Sequence, residues 1–378
     1  MVLLLITKRS LAFLCLFLIS ACSVEPPEER LDVATALGDQ DQNTQGFERA
    51  VEVRPFAFPA DHNAHPSFRN EWWYFTGNLS SAEGRLFGYQ VTFFRTAIAP
   101  PKQHSQEKRA SQWATDTVWM AHAAITDING ERHVTDEHFA REAVGLAGSQ
   151  SNPFRVWLGG WQLIAETADF PWKICAASDA FDINLTVKPI TDILLQGDRG
   201  LSQKSSEPGN ASYYYSIPRL ATDGSLTIDG QTIAVSGISW LDREWSTSAL
   251  GENQIGWDWF SLQMHSGADL MFYQLRQKNG KADPLSKGVY RSSVDQQALD
   301  LHNTELTPID YWKSPSGAKY PIRWRMRIPA LSKHWIVEAA LNDQLMETVI
   351  EYWEGAVRVL DAETNALLGV GYLEMTGY

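Results

Sequence analysis

The chain has 378 residues, 44% of them apolar, with 15 Trp and 3 Cys, and 32 basic side chains against 45 acidic ones for a net charge of −13. The acidic balance argues against nucleic acid and against a polybasic membrane patch, since both need clustered positive charge. The apolar content is ample for one large or two medium domains, and three cysteines are too few for a disulfide-stapled scaffold.

Residues 1–21 read as an export signal: Lys8 and Arg9, then an apolar run from Leu11 to Ile19 that is too short to span a bilayer. Ile19-Ser20-Ala21-Cys22 fits a lipoprotein cleavage box, so Cys22 is expected to carry lipid. The alternative is a general secretion signal that ends near a Cys. Residues 22–50 are polar and acidic with two prolines and read as a flexible tether. Ser23 after the lipidated Cys favours outer-membrane sorting in a diderm bacterium. The expected location is therefore the bacterial cell envelope, lipid-anchored and facing the periplasm. Cleavage would remove Lys8 and Arg9 and no acid, leaving 30 basic and 45 acidic residues and a net −15. Only Cys175 remains in the folded part, so no internal disulfide can form; in "FPWKICAAS" it reads as a small buried hydrophobe.

From residue 51 strand signals dominate. "LFGYQVTFFR", "FDINLTVKP", "SLTIDGQTIAVSGISW" and "GADLMFYQLR" are β-rich, partly alternating and bounded by Gly, Asp or Asn. Asp-Gly at 223–224 and 229–230 and Ser-Gly at 266–267 predict hairpin turns. A few short helices are expected, one near Asp295 to Leu301. The fold class is mainly β, sandwich or barrel.

An internal repeat sharpens this. "WWYFTGNLSSAEGRLFGYQVTFFR" from Trp72 aligns with "WDWFSLQMHSGADLMFYQLR" from Trp257, setting Trp72 on Trp257 and Tyr74 on Trp259. A one-residue gap then sets Tyr89-Gln90 on Tyr273-Gln274. This implies two related β-halves, each with a signature hairpin; chance similarity between two hairpins is the competing reading. Alternation places Trp72, Tyr74, Thr76 and Asn78 on one face and Trp73, Phe75 and Leu79 on the other. In the second copy Trp257, Trp259 and Ser261 share a face, opposite Asp258, Phe260 and Leu262. One face is apolar; the other mixes rings with small polar groups, as a cavity wall does. Which face points into a barrel is open at this stage.

The chemistry-bearing candidates follow. Asp242 and Glu244 in "WLDREWS" share a face and form either an acid/base pair or a structural pair neutralised by arginines such as Arg95, Arg219 or Arg276. Asp258 lies between two Trp, with Glu71 in the matching neighbourhood of the first copy. Tyr273 is a further candidate acid. In "SYYYS", Tyr213 and Tyr215 point one way and Tyr214 the other; the first two are taken as ligand-facing alongside Trp72, Tyr74, Trp257 and Trp259. His62 and His65 have no second cluster near them, and His122 reads as an interior histidine. No zinc pattern, nucleophile elbow, phosphate loop or dinucleotide fingerprint is present, so neither metal nor cofactor is expected.

"NEWWYFTGNL", "FGYQVTFFR", "ASYYYSIPRL", "WLDREWS", "GWDWFSLQM", "YWEGAV" and "GYLEMTGY" resemble the carotenoid 1,2-hydratase-like or AttH-like proteins, often described as secreted hydrolases. The resemblance runs from about His65 to Tyr378. It implies two lipocalin-like antiparallel β-barrel halves, with domains expected at 51–245 and 246–378. It also implies export or membrane association, company with ABC transporter permeases, and an apolar ligand inside a barrel. One branch hydrates carotenoid double bonds, and distant relatives catalyse cycloadditions. In the hydratase branch the segment matching "LDREW" carries a His beside the Asp, and the strand near Tyr273 a further acid. Here those places read Arg243 and Leu275, and Arg cannot donate a proton at physiological pH. Three readings stay open: a lipid-anchored carrier of an apolar small molecule or lipid, serving an ABC system; an acid/base enzyme on an apolar substrate (hydratase, isomerase or hydrolase); and an envelope scaffold. A buried acid facing a Tyr inside a cavity would favour the enzyme.

Overall fold

The computed structural model describes residues 44–101, 111–248 and 250–378. The signal-like segment, Cys22 and most of the tether lie outside the described residues. The described chain is two antiparallel sheets, and 3-10 turns at Ala60–His62 and Pro329–Leu331 are the only helices among the described residues. The first sheet has 13 strands, from Asn70–Ser80 to Gln231–Ser246; the second has 10, from Gln254–Met264 to Leu367–Met375. Alternation drives the strands: "FDINLTVKP" forms Phe181–Pro189 and buries Phe181, Ile183, Leu185 and Val187 on one face.

Both sheets follow the same circuit. In each, the first strand of the half pairs with its last: Asn70–Ser80 with Gln231–Ser246, and Gln254–Met264 with Leu367–Met375. In each, two consecutive strands sit at opposite edges: Arg132–Arg141 and Ala147–Ser151 in the first, Gln296–Asp300 and Glu305–Lys313 in the second. Connections as short as 142–146 and 301–304 hold those edges near each other, so each sheet must curl. In the first sheet Arg132–Arg141 reaches Phe154–Leu158 and the curl nearly closes. The expected pair of lipocalin-like halves is thus present.

Each half fills its own interior. Trp73, Phe75, Phe93, Trp119 and Trp172 belong to the first core; Phe260, Leu262, Trp324 and Trp353 belong to the second. A third cluster, with Tyr74, Tyr214, Trp240, Trp259, Tyr273 and Tyr372, joins residues from both halves. The halves approach closely there. A Cβ at Gly88 would lie 2.9 Å from both the Ala356 Cβ and the Tyr372 hydroxyl, so only glycine fits.

Three local expectations are corrected. The segment near Asp295 to Leu301 is a strand, Gln296–Asp300, paired with Lys287–Arg291 and burying only Leu299; pairing outweighs a weak helical tendency. Asp223-Gly224 is no turn but lies inside Ala211–Ile228. Gly224 has φ +150° and pairs with Leu185 and Val235, and a Cβ there would come within 2.1 Å of the Asn184 carbonyl oxygen. The glycine serves close strand approach. The hairpin turn is Asp229-Gly230, with φ 52° and 73° as a type I′ turn requires. The repeat also needs a new register. Tyr74 pairs with Thr92 while Trp259 pairs with Tyr273, so Tyr273 matches Thr92, about three residues from Tyr89. An odd shift reverses faces. Tyr89 is therefore a core residue bonded to Ser239 at 2.7 Å, whereas Tyr273 lies at the joint.

Candidate functional site

The site lies between the two halves, on the outer faces of both signature hairpins, and not inside a barrel. Along Asn70–Ser80, Trp73 and Phe75 turn into the first core, so Trp72 and Tyr74 turn outward to the joint. Along Gln254–Met264, Phe260 and Leu262 turn inward, so Trp257 and Trp259 turn to the same joint. With Phe94, Tyr214, Tyr273 and Leu275 these rings wall a space of about 710 Å³, part of it open to solvent. Tyr74 and Trp259 meet edge to face at 5.1 Å across the joint.

Four carboxylates enter this aromatic space. Strand register explains why. Trp72 and Tyr74 lie directly opposite Glu244 and Asp242, Trp259 lies opposite Glu374, and Glu374 lies opposite Glu354. Opposed residues share a face, so each half brings acids to the face that carries its rings.

Asp242 has only neutral donors. Tyr214 donates its hydroxyl to Oδ2; Ser216 Oγ donates to Oδ1 at 2.5 Å and Trp240 Nε1 to Oδ1 at 2.7 Å. Trp259 Nε1 in turn donates to the Tyr214 hydroxyl at 3.0 Å. Burial outweighs these bonds and pushes the Asp242 carboxyl up to about 7. Glu244 is paired with Lys204 at 2.9 Å and accepts from the Ser212 hydroxyl. Burial opposes the Lys204 charge, but Glu244, Tyr273 and Asp242 together offset it and hold the ammonium above its ordinary value. That ammonium lies 4.4 Å from the Tyr273 ring centre. Tyr273 bonds Ser202 at 2.9 Å.

Glu354 is buried, with the Tyr74 and Tyr352 hydroxyls facing its carboxyl group. Burial, then the charge of Glu374, drives the Glu354 carboxyl well above the carboxylate range; burial raises Glu374 likewise. At neutral pH the joint therefore stores protons on carboxyl groups.

Seven of the residues singled out from the sequence meet here: Trp72, Tyr74, Asp242, Glu244, Trp257, Trp259 and Tyr273. Others do not. Tyr213 and Tyr215 face the first core; their hydroxyls engage the Glu52 carbonyl at 2.9 Å and His62 Nδ1 at 2.5 Å, and Tyr214 between them is the pocket residue. Asp258 is turned away and tied to Arg276 at 3.3 Å, the Tyr378 hydroxyl at 2.7 Å and Gln274 at 3.2 Å. The arginines expected to neutralise Asp242 and Glu244 serve other acids: Arg95 pairs with Glu71, Arg219 with Asp269 and Arg276 with Asp258. Arg243 also faces away. It stacks on Trp73 at 3.8 Å and pairs with Glu71 at 3.2 Å, so its departure from a His does not change the pocket wall. Leu275, by contrast, does line the pocket.

Lys204, Glu354 and Glu374 escaped the sequence reading. A signal was available for the acids: Tyr352-x-Glu354 and Tyr372-x-Glu374 repeat the ring-and-acid alternation of the first half. Lys204 carried none, being isolated in a loop-like stretch. His122 bonds the Tyr352 hydroxyl at 2.8 Å and is held neutral by burial. Cys175 is half-buried and unpaired. Among the described residues no group of three or more His, Cys, Asp or Glu is placed to hold a metal ion.

Residues 49–378 match the family model described as AttH-like. Among solved structures, a protein described as an AttH from Nitrosomonas europaea is 32% identical, with a TM-score of 0.78 over 88% of this chain and 100% of that one. Kievitone hydratase from Nectria haematococca is 13% identical, with a TM-score of 0.67 over 88% and 96% of the two chains. CghA, solved with Sch210972, is 13% identical, with a TM-score of 0.52 over 90% and 97%. At 13% identity the last two likenesses show the fold alone. No curated protein matches the chain.

Proposed function

The chain belongs to the AttH-like family, and from that premise we propose that it is an acid/base enzyme acting on a largely apolar small molecule, of the hydratase or isomerase type. The observation that supports this reading is Asp242: a buried carboxyl raised to about 7, held by Tyr214 on the wall of a ring-lined space. A protonated carboxyl in such a place can deliver its proton to an alkene carbon. The faces of Trp72, Trp257 and Trp259 would stabilise the cation formed, as ring quadrupoles do. The electron-rich partner would be the Asp242 carboxylate that this transfer leaves, able to take a proton back from water as the water oxygen adds to the cation. Loss of a neighbouring proton instead would give isomerisation. The hydratase named among the structural likenesses fits this direction.

A second reading, a carrier of the same apolar molecule, is favoured by the ring area alone, which supplies affinity at about 25 cal/mol per Å² buried. We extend the proposal to the setting expected from residues 1–50: export, a lipid anchor on Cys22, an envelope location and service to an ABC transporter permease.

The test is native mass spectrometry of protein starting at Ser23, purified gently from its envelope extract, beside the Asp242→Asn form. A mass that accumulates only in the variant supports the enzyme. A mass retained equally by both sinks it in favour of the carrier. Empty protein in both forms counts against either.

A further inference from the structure

The aromatic wall does not stop at the cavity. In the first sheet Trp72 lies directly opposite Phe94, Phe94 opposite Met120, and Met120 opposite Phe139. Directly opposed residues on antiparallel strands share a face. These four side chains therefore form one row across four strands, on the outer face that also carries the cavity. Trp72 and Phe94 wall the cavity with their rings 6.5 Å apart. Met120 is half-buried, and Phe139, on the edge strand Arg132–Arg141, is 56% exposed. Val118, two residues from Met120 and on its face, is 38% exposed.

The adjacent row on this face is Tyr74, Thr92, His122 and Glu137. The second half roofs it: the Tyr352 hydroxyl bonds His122 Nδ1 at 2.8 Å, and the Val349 backbone N–H donates to Glu137 Oε1 at 2.7 Å. One row is covered and its neighbour is open, so the open row is a lane with a wall along one side. An edge strand is normally kept free of exposed large rings, and single exposed rings need no explanation. A ring at the end of an unbroken apolar row that begins in a cavity is a different case.

We propose that this row is a tail-binding subsite: a ligand with its polar or reacting end among the acids would lay a hydrocarbon tail along Phe94, Met120 and Phe139. The proposal rests on the apolar-ligand reading above and narrows it to elongated molecules, acyl or prenyl chains, against compact polycyclic ones. With strands about 4.8 Å apart, the row extends about 14 Å from Trp72 to Phe139. A tail of that length gains contact with each strand it crosses, and its far end reaches solvent without a closed tunnel.

The test uses straight-chain primary alcohols from hexanol to tetradecanol, displacing Nile red from the wild type and from Phe139→Ser and Phe139→Leu. Phe139 is exposed, so folding should survive, and circular dichroism checks it. The expected result is an affinity that rises with chain length in the wild type. Phe139→Ser should weaken tetradecanol by about five- to tenfold and hexanol by less than about twofold, and Phe139→Leu should restore most of the loss. Equal effects on short and long alcohols, or none on either, overturn the subsite while leaving the apolar cavity standing. Failure of every alcohol to displace the dye overturns both.

Discussion

Replacing Asp242 by Asn tests the site without changing its shape. The folded protein holds this carboxyl at about 7, against an ordinary value of 3.8. Because the folded value is the raised one, the group's stabilisation is fully present below the unfolded value and is lost as pH rises through the folded value. At about 1.4 kcal/mol per unit, the loss totals about 4 kcal/mol across that window. About 2.5 kcal/mol of it develops between pH 5 and pH 8. Asn keeps the acceptor for Ser216 and Trp240 and cannot ionise. Urea unfolding at pH 5 and pH 8 should therefore show the wild type losing about 2.5 kcal/mol more than Asp242→Asn. Glu354 and Glu374 titrate in both proteins, so the difference reports Asp242 together with the charge it places on Glu374. If both proteins lose the same stability, Asp242 is already ionised in the fold at pH 5 and its role as proton donor fails.

The remaining predictions concern the division of faces and the supports behind it. Trp73→Ala and Phe75→Ala, both fully buried in the first core, should each cost about 3–5 kcal/mol in denaturant unfolding; Trp72→Ala should cost well under half of that and instead weaken ligand retention in native mass spectrometry. Arg243→Met removes the stack on Trp73 and one of the partners of the fully buried Glu71, and should cost about 3–5 kcal/mol by the same measurement. Gly224→Ala forces a Cβ against the Asn184 carbonyl oxygen and should lower the unfolding midpoint by an amount equivalent to about 2 kcal/mol or more. An unchanged midpoint would mean that the strand pair separates there at little cost.

Much of this protein was legible in the residues. Turn signals and alternation marked the strands, and the pair of Trp-led hairpins marked two halves, because both depend on neighbours only two to a few residues apart. The same alternation separated Trp72 and Tyr74 from Trp73 and Phe75, and Asp242 and Glu244 from Arg243. It also held for "SYYYS", where the mistake lay in choosing Tyr213 and Tyr215 over Tyr214. Alternation sorts side chains into two faces without saying what each face meets.

The tertiary structure decided that meeting. It filled both curled sheets with their own rings and put the ring-lined space between their outer faces, where Tyr74 and Trp259 touch across the joint. It turned Asp258 to Arg276 and Tyr378, brought Lys204 to Glu244, and set Glu354 and Glu374 beside each other from strands far from Asp242 in the chain. A one-residue change of register reverses every face, and the register here follows from long-range pairing that no local window contains. The sequence by itself determined which residues travel together along each strand. Only the closure of two sheets against each other determined which of those sets would be sealed as core and which would be left to wall the space between them.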